Sequence, residues 1–425
     1  MHSRFDVLER RIARMLSDFP RLKSVIKLLY SRTVYLAVGA RAARSASSSA
    51  VSRVGADDVE TFFGYYDKSP VSTKGWLLCH TPRHPSTQPP QSTLSIAVQV
   101  FDFDARELAH PVMSLDTHAY NWQQGARAHW LDGEHFIFND FDAQARRYIS
   151  RVHCVRGRSE VQRYDRAVQD SHGREYFLAI NYQRLHTLRP DYGYRNLPPL
   201  DDTVLAGRDN DGIWKVEQNS GLSRLLYSFE DICKAAPHDD FSHARHKVNH
   251  VMISPDGQRF IFLHRYFLGR RKVDRLMLGA ADGSALRVLA AYGMVSHCFW
   301  MSDAAVLCYA RGPSGFDGYY ILDICTGHMD ALFGGALDIM GDGHPHVHGH
   351  WFVTDSYPDR RRMQRLLRAD LRSGQTHELG RFYQSFRYGG ETRCDLHPRI
   401  TPDGRYVFFD SVYEGRRGLY FLELS

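Results

Sequence analysis

Short strand-like runs separated by turns recur along most of this chain. The segments His250-Val-Met-Ile-Ser-Pro-Asp-Gly257 and His397-Pro-Arg-Ile-Thr-Pro-Asp-Gly404 match closely, and strand-like runs follow them at Arg259–Arg265 and Arg405–Ser411. The unit is a strand, a Pro-Asp-Gly turn and an antiparallel return strand. A second pair follows the first copy, with Arg275–Leu278, the turn Ala281-Asp-Gly-Ser284, and Leu286–Leu289. Four strands per repeat make a blade, and repetition of blades is the signature of a radial β-propeller. Further copies align at Ser296-His297 with Asp303 and at Gly343-His344 running into Trp351, and weaker ones precede Lys74-Gly75, Asp132-Gly133 and His172-Gly173. Turns near residues 75, 133, 173, 257, 303, 350 and 404 predict an all-β, seven-bladed propeller. The last blade has only three strands before Ser425, so a strand from the N-terminal side, Val59–Phe63, is expected to close the ring and remove its free edges.

A different period governs the start. Leu8, Ile12, Met15, Phe19, Leu22, Ile26 and Leu29 are spaced alternately by four and three, which predicts an amphipathic α-helical arm broken at Pro20. An Ala/Ser-rich stretch around residues 43–50 reads as a flexible linker. The division expected is residues 1–55 for arm and linker and 56–425 for the propeller.

Composition sharpens this picture. The abundance of Tyr and Phe, 23 and 24, suits half-buried strands. Seven scattered cysteines without a CxxC pair argue against a disulfide framework and for a reducing compartment. The opening residues lack the apolar stretch of a secretion signal, and no run is long and apolar enough to span a bilayer. The expected location is cytoplasmic, peripheral at the inner membrane face if the arm lies on anionic lipid; packing on its own domain or on a second subunit is the alternative for the arm. The formal charge of +6 is uneven: residues 1–55 carry eleven Arg or Lys against three acidic groups, which leaves the rest slightly negative. The main domain therefore offers no electrostatic case for nucleic acid.

The turn alignment places His250, His297, His344 and His397 at one level of four blades, where first strands line a central channel. A single histidine there reads as structural. Four converging imidazoles equally suit a metal ion, and imidazole-rich sites favour Zn or Mn over Ca or Mg. Asp342, Asp355, Glu391 and Asp395 are near enough in sequence to supply carboxylates. Between the third and fourth turns the chain is unusually long, and the excess includes Asn181–Arg195, rich in Arg, His and Tyr. Such a loop is functional or disordered, and its aromatics argue against disorder.

Phe63-Gly-Tyr-Tyr-Asp-Lys-Ser-Pro70, Asn121-Trp-Gln-Gln-Gly125, Leu188-Arg-Pro-Asp-Tyr-Gly-Tyr194, Asp355-Ser-Tyr-Pro-Asp359 and Arg393-Cys-Asp-Leu-His-Pro-Arg399 resemble segments of propeller proteins related to oligogalacturonate lyases and ulvan lyases. The resemblance covers about residues 57–425. It implies a polysaccharide lyase that cleaves an acidic polysaccharide or oligosaccharide by β-elimination at a uronic acid, with a divalent metal or an Arg neutralising the carboxylate. On this reading His186, Arg189, Tyr192 and Tyr194 are the catalytic candidates and Tyr66, Lys68 and Arg393 the substrate-binding ones. His250, His297, His344 and His397 are the metal candidates. Each of these has a packing role as its plain alternative. The missing secretion signal fits oligosaccharide turnover or surface-polysaccharide assembly inside the cell. Two other functions stay open, a non-catalytic glycan-binding scaffold and a glycan hydrolase or transferase working through paired carboxylates.

Overall fold

The computed structural model describes Arg32, Thr33, Tyr35 and residues 45–424, apart from positions 270, 336 and 338–340. Seven antiparallel sheets follow one another along the chain as the blades of a β-propeller. Blade 1 holds Trp76–Pro82, Ile96–Asp102 and Met113–Thr117, with Phe62 bridging His80 on its inner side. Blade 2 runs from His129–Trp130 to Ser159–Tyr164, and blade 3 from Val168–His172 to Ser223–Ser228. Blade 4 comprises Arg245–Ile253, Arg259–Leu268, Arg271–Ala280 and Leu286–Gly293. Blade 5 spans Val295–Ser302 to Met329–Ala331, blade 6 His346–His348 to Thr376–Tyr383, and blade 7 Arg399–Ile400 to Gly418–Glu423.

Local chemistry explains the shared hairpin. In blade 4 the Asp256 carboxylate accepts from the Ser254 hydroxyl (2.6 Å) and the Gln258 N–H (2.9 Å). In blade 7 Asp403 accepts from Thr401 (2.6 Å) and the Arg405 N–H (3.0 Å) in the same way. Gly257 and Gly404 then take φ of +70° and +74°, which only glycine reaches without strain. Six of the seven expected turns separate the first two strands of a blade, and the one near residue 75 joins the Val71–Leu77 bridge to Trp76–Pro82.

Closure differs from expectation. Val51–Arg53, not Val59–Phe63, pairs with Gly418–Glu423 as the outer strand of blade 7. Ala46–Ser47 adds a fifth strand to blade 6 through Thr376–Tyr383, so part of the expected linker is sheet. Val59–Phe63 was the wrong closing strand because Phe62 is already bonded both ways to His80, at 3.0 and 2.7 Å, and feeds blade 1. The seam between blades 7 and 1 is filled by Phe103 against Phe408 and Phe421, each at 5.3 Å between ring centres. The predicted arm helix, Leu8–Leu29, lies outside the described residues. No helix among the described residues is long and apolar enough to cross a membrane.

Two buried histidines set an acid sensitivity. Burial pushes His80 down to about 4 and His129 down to about 3, the latter helped by Lys68 and Arg127. Each is neutral when folded but titrates near the ordinary 6.5 once unfolded. The unfolded chain thus binds more protons below that value, and stability is full above it and falls with pH. The expected loss is about 1.4 kcal/mol per pH unit per histidine. Urea denaturation at pH 7 and pH 5 measures it; equal midpoints would show both rings charged or exposed.

Candidate functional site

The long excursion of blade 3, residues 181–211, contributes the roof of the site. Helix α1 (Tyr182–Leu188) begins at Asn181, whose side chain accepts from the Arg184 N–H (3.0 Å), and ends at Arg189. The chain then folds back so tightly that a Cβ on Gly193 would sit 2.1 Å from the His186 nitrogen. This return buries Tyr192 and Tyr194 completely and leaves Arg189 and Asp191 partly exposed.

Blade 1 contributes the floor. Gly64–Asp67 crosses the channel, so Tyr65 meets His250 and His397 (5.3 Å between ring centres each) while Tyr66 meets His297 (5.6 Å) and His344 (5.4 Å). Gly64 (φ +110°) permits the crossing, since a Cβ there would lie 2.7 Å from the Gln124 backbone. Buried ion pairs anchor both ends. Arg399 binds Asp410 (2.8 Å) and donates to the Gly64 and Tyr65 carbonyls, and Arg127 holds Asp67 bidentately at 3.0 and 2.8 Å.

Above that floor the four histidines form a buried arc. Neighbouring ring centres lie 5.4 Å (His250–His297), 4.1 Å (His297–His344) and 4.2 Å (His344–His397) apart. His250 and His397 have positive φ, 53° and 44°. The register of the inner strands of blades 4 and 5 slips at this level, and such bulges re-aim a side chain off the sheet face.

The four are not equivalent. The Tyr65 hydroxyl lies 2.6 Å from His250 Nδ1 and 2.9 Å from its Nε2, so one of these nitrogens is engaged by the floor. His297 Nδ1 pairs with Asp342 (3.0 Å) and His344 Nδ1 donates to Asp355 (2.8 Å). Nε2 of His344 and Nε2 of His397 are buried and have no hydrogen-bond partner among the described residues. Donor atoms of His344, His397 and Asp395 lie within 4.8 Å of one another, a set that could hold a metal ion. A carboxylate on the far nitrogen is how ligating imidazoles are usually oriented, and Asp355 stands there. Burial opposes charge on His344, but Asp355 outweighs it and raises its proton affinity. Burial keeps His397 and His250 far below the ordinary value, with His344 acting in the same direction on His397 and His297 on His250.

Two guanidiniums flank this group. Arg393 donates to Asp191 (2.6 Å), Asp395 (2.8 Å) and the Tyr192 oxygen (3.3 Å). Arg189 lies over the Tyr192 ring at 4.2 Å and touches Asp191 loosely, at 3.3 and 3.5 Å. Side chains of Arg189 and Arg393 are 28% and 20% exposed, so cations line the entrance. Burial raises the Tyr192 hydroxyl above its ordinary value and keeps it protonated.

Other candidates lie elsewhere. Tyr194 stacks on Tyr182 (4.2 Å between centres) and accepts from Asn139 (2.9 Å), which makes it a packing residue of the roof. His186 opens on a separate groove with Gln91, Arg195 and Asn196. The Lys68 ammonium is bound to Asp170 (2.5 Å), away from the arc. Tyr66 is placed beneath His297 and His344, but its hydroxyl donates to the Cys298 carbonyl (2.9 Å) and so holds the floor. Sequence reasoning assigned no role to Tyr65, Asp191 or Lys247. For Lys247 a signal existed, since it precedes His250 on the same channel-lining strand.

A second triad, Cys233, His246 and His264, also clusters within 4.8 Å. Its nitrogens have protein partners: Arg275 donates to His264 Nδ1 (2.7 Å), and His264 Nε2 lies 3.0 Å from His246 Nδ1. A ring that accepts at Nδ1 carries its proton on Nε2, which is then no ligand. The channel group lacks this obstacle.

No family model matches the chain, and no curated protein sequence does. Solved structures do. An oligogalacturonate lyase in complex with manganese superposes with a TM-score of 0.61 at 16% identity, over 90% of this chain and 96% of that one. An oligogalacturonate lyase from Vibrio parahaemolyticus gives 0.58 at 15% identity, again over 90% and 96%. At such identity the likeness is one of fold, and the chain is a seven-bladed β-propeller built on the same plan as these two proteins.

Proposed function

We propose that this protein is a lyase that cleaves a uronate-containing oligosaccharide by β-elimination with the help of a divalent metal ion. The observation that carries the reading is the pair of buried, unpartnered Nε2 atoms of His344 and His397 beside Asp395, next to the two guanidiniums. Two imidazoles and a carboxylate suit Mn or Zn better than Ca or Mg. A bound ion would act as a Lewis acid that stabilises negative charge on the sugar carboxylate. The neighbouring lyase described as a manganese complex supports Mn as the first ion to test.

The protein's own groups divide the remaining work. Arg189, only loosely tied to Asp191, is free to turn to a sugar carboxylate; planar guanidinium forks match that group. The C5 proton is weakly acidic, so the charge developing as it leaves must be met by fixed cations. Tyr192 accepts from Arg393, which leaves its own O–H directed elsewhere, and burial keeps it protonated. It is the general acid for the departing glycosidic oxygen. Paired-carboxylate hydrolysis is disfavoured: Asp191 and Asp395 are bound to arginine, and Asp342 and Asp355 to histidine.

The test is direct. Full-length protein with Mn²⁺ should raise the ultraviolet absorbance of an oligogalacturonate solution as the unsaturated product accumulates. Binding of the same sugar with no absorbance change, across a panel of uronate oligosaccharides, would give the scaffold reading instead.

A further inference from the structure

Lys247 stands on the inner strand of blade 4, is 1% exposed, and its ammonium nitrogen has no hydrogen-bond partner among the described residues. A buried amine without a partner is costly to keep as a structural element. Its cross-strand partner is Arg265, and Arg265 in turn pairs with Asp274 on the next strand. The two carboxylates that act on Lys247 are already taken. Asp274 is bound by Arg265 and by Lys272 (3.1 Å), and Asp191 by Arg393 (2.6 Å) and Arg189 (3.3 Å). The groups that face it are thus Arg265, Lys272 and Asp274 on its own blade, His250 on its own strand, and Arg189 and Asp191 from the roof. Cations outnumber anions, and the site disfavours another ammonium. Asn249, two residues on and on the same strand face, is also buried with both amide atoms unpartnered. Two such side chains in a row point to a ligand rather than to protein.

We infer that Lys247 is the general base of the elimination and takes the C5 proton of a uronate whose carboxylate is held by Arg189. The inference rests on the lyase reading above. The amine lone pair accepts the C5 proton, and the C5–H electrons form the C4=C5 double bond. The C4–O electrons leave on the glycosidic oxygen, which takes the Tyr192 hydroxyl proton. The ammonium then returns its proton to the tyrosinate through solvent, and both groups are reset. Burial first, then Arg265 and Arg189, hold Lys247 well below the ordinary lysine value of 10.5, against the pull of Asp191 and Asp274. A shift in this direction favours the unprotonated amine that a general base must supply.

The experiment uses full-length protein loaded with Mn²⁺ and oligogalacturonate as probe. K247M should keep Mn²⁺ binding and lose about 10²–10⁴-fold in elimination rate. The same variant reports the charge state without substrate. A lysine held well below 10.5 when folded and titrating at its ordinary value when unfolded lowers stability below pH 10.5 and ceases to do so above it. K247M should therefore melt higher than the parent at pH 7, with a gain that shrinks as pH rises toward 10.5. Should K247M misfold, K247R replaces it: an arginine in the same place stays charged, so it should keep Mn²⁺ binding and lose elimination to a similar extent. Parent protein without elimination on any uronate overturns both this inference and the function it rests on. An active parent with K247M inside about twofold of it overturns this inference alone. So does a melting gain absent at pH 7, or K247R as active as the parent, because the lysine amine is then not the proton acceptor.

Discussion

Asp410→Ala is expected to destabilise the propeller by about 3–5 kcal/mol, the cost of leaving a buried partner charge uncompensated. Arg399 is 0% exposed and has Asp410 as its only carboxylate partner among the described residues. Asp410 also accepts from the Phe63 and Gly64 N–H groups (2.9 Å each), while Arg399 donates to the Gly64 and Tyr65 carbonyls. One ion pair thus fastens the segment that crosses the channel, and its loss frees the floor under the histidines. Urea denaturation followed by tyrosine and tryptophan fluorescence gives the stability change. The double replacement Asp410→Leu with Arg399→Met removes both charges and should recover part of the loss, since the buried charge is then gone. A cost under about 1 kcal/mol for the single change would show a pair already open to water.

Replacing His344 or His397 with alanine should abolish Mn²⁺ binding, and with it elimination. Asp355→Asn should weaken binding by about 10–100-fold, the usual effect of removing the carboxylate behind a ligating imidazole. Asp355 also accepts from the backbone N–H groups of His344 (2.9 Å) and His397 (3.1 Å), so this variant loosens both ligands together. His250→Ala should retain the ion, because its ring serves Tyr65. Equilibrium dialysis with elemental analysis separates these cases. Full metal retention in His344→Ala, or its transfer to dependence on Cys233, would move the site to the second triad.

Much of the architecture was legible because turns are local. Ser254-Pro-Asp-Gly257 and Thr401-Pro-Asp-Gly404 carry their bonding partners within five residues, so the hairpins and the blade count followed from spacing alone. Closure was not legible, since Val51–Arg53 pairs with residues more than 360 positions away, and three residues carry too little pattern to reveal that. The same divide runs through the site. His250, His297, His344 and His397 came into view together because equal register in successive blades means equal height in the channel. Which of them are free to ligate depended on Tyr65, Asp342 and Asp355, contributed by other parts of the ring. Tyr192 and Tyr194 look alike in sequence. Only the fold-back over His186 turns one toward the arc and seals the other against Tyr182.

By itself, then, the order of residues determined the blades, their turns and the level at which four imidazoles meet, because each of these is set by periodicity and by hydrogen bonds among near neighbours. Tertiary structure decided how the ring is closed, what floors the channel, which nitrogens remain unpartnered and that Lys247 faces a surplus of positive charge. Those properties depend on groups brought together from distant repeats, and on burial, which no stretch of sequence carries alone.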